Sequence, residues 1–412
     1  MPKYLRLLLG IPLALTLVMA AINVIVDPFD IYRVATIPRV NELKPQRIAD
    51  GARVAIGFDL LRGGYPVLFL GTSRVQVTIP REIDGLPAPI ENAAMPSADA
   101  VEIARAVSLA QQHQGLRCVF IGLDYEIADS SAKTKGTYWL SPLSGASAAM
   151  SRVRTALSVT TFNRALQTFA ANASGQPLEN PTRQFGVAGQ RTRFVAITRD
   201  YYAKSRSFLY DERRIRLIGL TVERLAKAGI QVVGFISPLH AWNEEAFIRA
   251  GNDDNMRRFR RELTQIFEAA AQRKPSAPCI AGPAAMLWDF GGYQPLSQSA
   301  IPSETASELQ PYYRETSHYR DIVGIAMVRR MLDLSYTLPI AANDFGARLT
   351  AASLDTDLAA IDARRVQWVA QNADATTLNA LIDEWRIKDA DKQSATEKYS
   401  LTDADLAEFQ SP

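Results

Sequence analysis

The sequence predicts an α/β fold, a three-layer α/β/α sandwich built on a mostly parallel sheet. Short apolar runs rich in β-branched residues, which are typical of strands, alternate along the chain with longer stretches of helical periodicity. Strands that alternate with helices form parallel sheets whose two faces are covered by the helices. With 412 residues, of which 47% are hydrophobic, the chain can bury at least one large core of this kind.

The predicted elements follow one another in a regular order after residue 60. Strands are expected at Pro66–Leu70, Arg117–Leu123 and Gln231–Ile236, with a further short strand inside Pro278–Trp288. Helices are expected at Ala98–Gln112, 212–228, Arg258–Arg273 and Tyr319–Leu334. These elements assign the α/β domain to residues 61–335.

An apolar run from Leu7 to Val26 is long enough to cross a membrane. Twenty helical residues extend about 30 Å, which is the thickness of the hydrocarbon core of a bilayer. Lys3 and Arg6 precede the run and Asp27 follows it, so the positive-inside rule places the N-terminus in the cytoplasm and the rest outside. Because the run is longer than the apolar region of a secretory signal peptide, we expect an uncleaved signal anchor rather than a cleaved signal.

The remaining segments fall outside the alternation of strands and helices. The predicted organisation is a transmembrane signal anchor at 1–26, a polar lead-in at 27–60, the α/β domain at 61–335 and a helix-prone extension at 336–412. Residues 130–200 are rich in small and polar residues and are expected to form an insertion over the end of the sheet, with helical fragments at Ala148–Val159 and Asn163–Ala171. Trp368 and Trp385 are expected to anchor the extension.

The composition argues against several classes of function. A formal charge of +3, with no basic run interleaved with aromatic residues, argues against a nucleic-acid partner. Cys118 and Cys279 lack the spacing of metal ligands, and no glycine-rich phosphate-binding loop is present, so neither a metal nor a nucleotide cofactor is expected. Both cysteines lie in apolar stretches, which favours small buried hydrophobic side chains; a disulfide requires that they be neighbours in space.

Two short segments carry the parts of an activated serine nucleophile. Gly71-Thr72-Ser73-Arg74 follows the first predicted strand, and Glu315-Thr316-Ser317-His318 supplies a histidine with a carboxylate three residues before it. A hydroxyl that attacks an acyl group needs a base to take its proton and an acid that fixes the tautomer of the base. The chain has three histidines, His113, His240 and His318, so the choice of base is narrow. Taken singly, Ser73 also fits a helix N-cap and His318 a packed histidine.

Polar residues follow each of the four predicted strands. In open α/β sheets, ligands bind outside the carboxyl ends of the strands, so these residues are expected to line one cleft. They are Ser73 and Arg74, Asp124, His240, and Asp289. Asp124 pairs with Arg74, lines the cleft or begins a loop, and His240 has either a substrate-contacting or a structural role.

The order and spacing of these segments resemble those of the SGNH/GDSL hydrolases over about residues 60–335. In that family a strand ends in a Gly-Asp-Ser-like block with the nucleophile, and a late Asp-x-x-His block supplies acid and base. The Gly71–Arg74 segment matches the first block with Thr72 in place of Asp, and the Glu315–His318 segment matches the last with Glu in place of Asp. Asn92 resembles the oxyanion donor of the middle segment, and Asp124 stands where a donor Asn is expected. The variant pattern looks closer to the membrane-anchored, acetyltransferase-like proteins of bacterial envelopes.

The resemblance implies a role for each residue. Ser73 is the nucleophile, His318 the general base and Glu315 the acid that orients it, with Asp289 as the alternative acid. The backbone N–H of Ser73 and the side chain of Asn92 stabilise the oxyanion. Arg74 binds an anionic or carbonyl-bearing group of the substrate. Asp124 and His240 are further candidates for the lining of the cleft.

The function expected from this resemblance is serine-dependent ester hydrolysis or O-acyl transfer, with acetyl groups on envelope polysaccharide as the substrate class. The protein is expected in the inner (cytoplasmic) membrane as a single-pass protein with a periplasmic domain. Acyl transfer would need a multispan membrane partner to deliver the acyl donor, whereas hydrolysis would not. One alternative is a non-catalytic binding or assembly protein of the envelope that keeps the fold. Another is a scaffold whose extension packs away from the cleft and exposes Trp368 or Trp385.

Overall fold

The computed structural model is a mixed α/β structure and describes residues 3–48, 51–130, 136–175, 186–388 and 401–409. The chain divides into two compact units. The first comprises Met1–Gly63, Ser108–Gln112 and Thr134–Gln184, and the second comprises Gly64–Val107, His113–Lys133 and Phe185–Pro412. Residues 130–200 are therefore shared between the two units, and the polar lead-in at 27–60 belongs to the first.

The second unit contains the central sheet. The strands are β1 (Val67–Leu70), β2 (Ile90–Asn92), β3 (Cys118–Gly122), β4 (Gln231–Ile236), β5 (Ala285–Asp289), β6 (Tyr313–Glu315), β7 (His318–Tyr319) and β8 (Ala347–Leu349). Within the described residues the sheet has six strands in the order β2-β1-β3-β4-β5-β8, and β6 and β7 form a separate hairpin. Strands β1 to β5 run parallel to one another, and β8 pairs with β5 in the antiparallel sense.

Helices make up most of the remaining regular structure. They are α1 (Lys3–Val26), α2 (Ala52–Arg62), α3 (Ser73–Thr78), α4 (Ala100–Ala110), α5 (Ala148–Ala156), α6 (Val159–Ser174), α7 (Gln190–Ser205), α8 (Glu212–Lys227), α9 (Ala241–Arg249), α10 (Asp253–Ala271), α11 (Asp321–Met331), α12 (Leu354–Gln371), α13 (Ala373–Lys388) and α14 (Asp403–Ala407). Short 3-10 turns lie at Pro45–Arg47, Tyr125–Ala128, Tyr138–Leu140, Pro142–Ser144, Pro295–Gln298 and Ala342–Asp344.

The parallel strands β1, β3, β4 and β5 are buried at every position, which explains why their sequences are mostly apolar rather than alternating. The rings of Phe69 and Phe120 stack across β1 and β3 with centroids 4.5 Å apart. Helix α10 packs on β5, and α8 packs on α10 and β4. Gly234 of β4 leaves room for the ring of Phe267 on α10, since a Cβ at this position would collide with that ring.

The predicted strands and helices of the α/β domain are present, with ends that differ by a few residues. The described part of the C-terminal extension is helical in α12, α13 and α14, as expected, and it also adds strand β8 to the central sheet. Residues 347–349 form β8, and Trp368 and Trp385 are only 2% and 3% exposed within the main hydrophobic core. The alternative in which the extension exposes one of these tryptophans is therefore wrong.

Cys118 and Cys279 form a disulfide, with their Cα atoms 6.1 Å apart. It joins the start of β3 to the segment before β5, which are 161 residues apart in sequence. The sequence left the pairing of these cysteines open, and the structure shows that they are bonded to each other rather than serving as two separate buried side chains. Sequence spacing alone could not reveal the pair, because the sheet order brings the two residues together.

The first unit contains α1, α2, α5 and α6. Residues Leu8–Val26 of α1 are long and apolar enough to cross a membrane, and little of this segment is buried. A small core beside it contains Phe29, Val54, Phe58 and Leu140. The predicted signal anchor thus corresponds to one candidate membrane helix.

Candidate active site

The turn between β1 and α3 places Ser73 at the first residue of a helix. Thr72 is the N-cap, and its side chain accepts a hydrogen bond from the backbone N–H of Arg74. Gly71 has a φ of +145°, and a Cβ here would lie 2.7 Å from Val75 Cγ2 and 3.2 Å from the carbonyl oxygen of Gly122. Only glycine suits this conformation and this close approach, so the Gly-Thr-Ser sequence is what directs the serine away from the strand.

The β6–β7 hairpin places the histidine opposite its carboxylate. Glu315 and His318 are cross-strand partners, with Thr316 and Ser317 forming the turn between them. Their spacing of three residues is thus the result of a tight turn between two paired strands. Glu315 Oε2 also accepts a hydrogen bond from the backbone N–H of Ser317 at 2.6 Å, which fixes the carboxylate.

Ser73, His318 and Glu315 form one hydrogen-bonded chain. Ser73 Oγ lies 2.7 Å from His318 Nε2, and His318 Nδ1 contacts Glu315 Oε1 on the other side of the ring. A neutral imidazole that donates from Nδ1 to the carboxylate presents its lone pair at Nε2 to the serine hydroxyl. The carboxylate is 3% exposed, the imidazole 19%, and Ser73 is half-buried, so the solvent-facing end of the chain is the serine end.

Arg74 is buried, only 2% exposed, and its guanidinium is surrounded by polar partners. Nε donates to the carbonyl oxygen of Ser317 at 2.9 Å, Nη1 lies 3.0 Å from Asp124 Oδ2, and Nη2 donates to Glu126 Oε1 at 2.7 Å. Burial alone lowers the pKa of Arg74, but Asp124 and Glu126 more than offset this, and the net pKa lies well above its usual value.

The expected role of Arg74 in binding a substrate group therefore needs correction. Its donors serve two carboxylates and the turn that carries the histidine, and the side chain does not face solvent. Of the alternatives for Asp124, pairing with Arg74 is the one observed, and this carboxylate also accepts a hydrogen bond from the hydroxyl of Thr72. Arg74 and Asp124 thus hold together the segments that bear Ser73 and His318.

Asn92 is the last residue of β2, and its side-chain amide forms hydrogen bonds with nearby backbone groups. Its Nδ2 donates to the carbonyl oxygens of Val75 at 3.2 Å and Ile79 at 2.9 Å, and its Oδ1 accepts from the backbone N–H of Ala94. These contacts satisfy carbonyl groups at the end of α3. The side chain of Asn92 therefore supports the helix that carries Ser73 and does not act as a free donor for an oxyanion.

His240 is a structural residue rather than part of the hydrogen-bonded chain. Its Nδ1 accepts from the backbone N–H of Trp242 as the N-cap of α9, and its Nε2 lies 2.7 Å from the carbonyl oxygen of Ser299. Burial lowers the pKa of His240 to about 4, although the Ser299 carbonyl and Glu315 act in the opposite direction. The imidazole is therefore neutral at physiological pH.

Asp289, the alternative acid, has a different partner. Its carboxylate lies 2.6 Å from Arg260 Nε and accepts from the backbone N–H of Gly291 at 2.8 Å. Burial alone lowers the pKa of Arg260, but Asp289 and the neighbouring Glu244 raise it above its usual value overall. The structure thus brings Glu315, and not Asp289, to the histidine.

Three residues of the site were not identified from the sequence. Ser317 Oγ lies 2.8 Å from the hydroxyl of Tyr201, and both accept hydrogen bonds from Arg74 Nη2. Glu126 completes this network as the second carboxylate on Arg74. Ser317 lies inside the Glu315–His318 segment, and Glu126 follows β3, so their positions in the sequence were weak indications that they belong to the site. Nothing in the sequence around Tyr201 indicated its role.

Among the residues that the structure describes, no group of three or more His, Cys, Asp or Glu side chains is arranged to hold a metal ion. Comparison with family models, with curated protein sequences and with solved structures gives no match to this chain.

Proposed function

We propose that the protein is a serine-dependent esterase or O-acyltransferase of the SGNH type. The observation that carries this proposal is the hydrogen-bonded chain from Ser73 through His318 to Glu315. It joins a hydroxyl, a base and a buried acid in the order that nucleophilic acyl chemistry requires. The parallel sheet with Ser73 directly after β1 is compatible with the three-layer SGNH sandwich.

In the proposed reaction, Ser73 Oγ attacks the carbonyl carbon of an ester while its proton passes to His318 Nε2. Glu315 stabilises the imidazolium that forms, and the backbone N–H of Ser73 stabilises the oxyanion of the tetrahedral intermediate. His318 then returns the proton to the leaving alkoxide, which leaves an acyl group on Ser73. Water or an acceptor hydroxyl, deprotonated by His318, attacks this acyl group and regenerates the serine.

The substrate class we propose is acetyl esters of envelope polysaccharide. Two features support a location outside the cytoplasm: the candidate membrane helix in α1, and the disulfide between Cys118 and Cys279, since disulfides persist in oxidising compartments. A transferase role would require a multispan membrane protein that supplies the acyl donor, because a single span cannot carry it across the bilayer.

The test is labelling of the full chain, purified in detergent, with a fluorophosphonate probe that reacts only with activated serines. We expect labelling of the unmodified protein and of Ser303→Ala, a matched control at an exposed serine, and no labelling of Ser73→Ala or His318→Ala. A folded but unlabelled unmodified protein would overturn the proposal and favour the non-catalytic binding or assembly protein.

A further inference from the structure

Helix α6 of the first unit has the reverse of the usual distribution of side chains. Its packed face consists of small and polar residues, which are buried: Thr161, Ala165, Thr168 and Asn172. Three of its bulky apolar residues point outward, with exposed fractions of 64%, 48% and 46%: Val159, Leu166 and Phe169. Soluble helices bury their apolar face, whereas helices in membranes pack through small residues and turn their bulky residues to lipid.

Helix α5 shows the same reversal. Ser151 and Thr155 are fully buried, whereas Met150, Val153 and Leu157 are 49%, 52% and 49% exposed. Residues spaced by three and four lie on one face of a helix, so these three side chains form a row, and those of α6 form another. We call the six exposed residues the apolar stripe: Met150, Val153, Leu157, Val159, Leu166 and Phe169.

The position of α1 indicates whether the apolar stripe faces lipid or water. Asn23 of α1 donates from Nδ2 to the carbonyl oxygens of Ala156 at 2.8 Å and Ser158 at 3.1 Å, at the junction of α5 and α6. Asn23 lies three residues before the end of the apolar segment Leu8–Val26, a distance of about 4.5 Å along the helix axis. The junction therefore lies beside the last turn of the candidate membrane span.

The C-terminal end of α6 is hydrogen-bonded to a segment, residues 41–43, that also contacts the C-terminal end of α1. The side chain of Asn172 makes two hydrogen bonds with the backbone of Leu43, at 2.7 and 3.0 Å, and Asn41 Nδ2 donates to the carbonyl oxygen of Ile25 at 2.7 Å. Helix α6 has 16 residues, or about 24 Å, which is too short to span a bilayer. With both ends held near the C-terminal end of α1, α6 would lie along the surface of a membrane that α1 crosses.

We propose that the apolar stripe inserts into the boundary between acyl chains and headgroups of the leaflet at the C-terminal end of α1. The occupant is the lipid bilayer itself, because the two helices that carry the stripe, α5 and α6, pack against α1, the candidate membrane helix. The exposed polar flank of α6, which includes Thr160 and Gln167, then faces the headgroups and water. The inference rests on α1 as the membrane anchor and is independent of the chemistry of Ser73.

The test uses the full chain in lipid nanodiscs with single spin labels. The two natural cysteines are joined in a disulfide, so a third cysteine supplies one labelling site. The variants are Leu166→Cys and Phe169→Cys on the stripe, Thr160→Cys on the polar flank as the matched control, and Val18→Cys, 57% exposed on α1, as the lipid reference. Collision rates are measured with oxygen, which concentrates among acyl chains, and with a water-soluble nickel chelate.

We expect the oxygen rate to exceed the nickel rate severalfold at positions 166 and 169, as at 18, and the reverse at 160. Nickel-dominated rates at 166 and 169 would overturn the inference, and so would protection from both reagents, which would indicate a protein partner over the stripe. A nickel-dominated rate at 18 would overturn the membrane anchor and this inference together, whereas fluorophosphonate labelling reports separately on the proposed enzyme.

Discussion

Arg74 donates a hydrogen bond from Nε to the backbone carbonyl oxygen of Ser317, so the residue after the candidate nucleophile holds the residue before the candidate base. The two segments are 243 residues apart in sequence. The 2.7 Å contact between Ser73 and His318 therefore depends on a buried guanidinium that itself reaches neither of the two reacting groups. Arg74 is in this sense a positioning residue.

Arg74→Lys is expected to keep the charge and lose the positioning. An ammonium cannot reproduce the fork of donors that reaches Ser317 and both carboxylates. We expect the rate of fluorophosphonate labelling to fall at least about tenfold and the free energy of unfolding to fall by about 3 kcal/mol, the order of magnitude for damage to a buried ion pair. Arg81→Lys, at a side chain that is 67% exposed, is the control and should change neither quantity. An unchanged labelling rate in Arg74→Lys would contradict the positioning role.

Glu315→Gln is expected to slow labelling without removing Ser73 or His318. The amide cannot stabilise the imidazolium, and it no longer selects the tautomer with the proton on Nδ1, so we expect a loss of roughly 10²–10⁴-fold in labelling rate. Glu315→Asp keeps the charge and should lose less. The rate is measured per folded molecule, with circular dichroism as the check on folding.

Asp289→Asn distinguishes the role of Asp289 from that of Glu315. We expect this variant to lose stability, by about 3 kcal/mol, because it removes the carboxylate that bonds to the buried Arg260 and leaves only the neighbouring Glu244 to balance its charge. Its labelling rate below the unfolding temperature should remain within about twofold of the unmodified protein, a change well under 1 kcal/mol. A loss of labelling as large as that of Glu315→Gln would indicate that Asp289 takes part in orienting the histidine.

Stability is expected to fall as the pH drops from about 6.5 to about 4, because the pKa of His240 is about 4 in the folded protein and about 6.5 in an unfolded chain. Within this window the unfolded chain binds a proton that the folded protein does not, and proton binding therefore favours unfolding. The contribution of His240 is full above the window and declines by about 3 kcal/mol across it.

The measurement is the urea midpoint at about pH 7 and about pH 4.5 for the unmodified protein and for His240→Gln, which lacks the titrating group. The difference between the two pH values should shrink in His240→Gln. His113→Gln, at a histidine outside the site, should leave the difference unchanged. An equal pH dependence in all three proteins would show that the protonation of His240 does not govern acid stability.

The disulfide between Cys118 and Cys279 is expected to contribute about 5 kcal/mol of stability, since it closes a loop of 161 residues in the unfolded chain. Cys118→Ala combined with Cys279→Ala should show a lower urea midpoint, and a reductant should lower the midpoint of the unmodified protein but not that of the double variant. Two free thiols in the unmodified protein, titrated under denaturing conditions without reductant, would contradict the pairing.

The strands β1, β3 and β4 could be predicted because buried parallel strands have continuous runs of apolar residues. Ser73, His318 and Glu315 could be proposed together because two patterns are visible in the sequence: a glycine directly after an apolar strand, and a carboxylate three residues before a histidine. β2 and β8 have only three residues each, too few to show a period. The role of Arg74 could not be predicted, since burial of its charge depends on two carboxylates that follow a different strand and on a turn near the other end of the domain.

The same limit applies to Asn92 and the cysteines. An asparagine after a strand fits an oxyanion donor as well as a helix-end ligand, and only the three-dimensional course of α3 decides between them. The pairing of Cys118 with Cys279 is likewise set by the adjacency of β3, β4 and the segment before β5. Each of these outcomes is a property of the strand order, which sequence periodicity does not encode.

The antiparallel strand β8 determines how far the chain can be shortened. A protein that ends at residue 335 would keep Ser73, Glu315 and His318 but would leave the backbone N–H and C=O groups along one side of β5 unpaired. Unpaired strand edges recruit further chains. Such a truncated protein would also uncover the core surface under Trp368 and Trp385, so aggregation, rather than a smaller active enzyme, is the expected result.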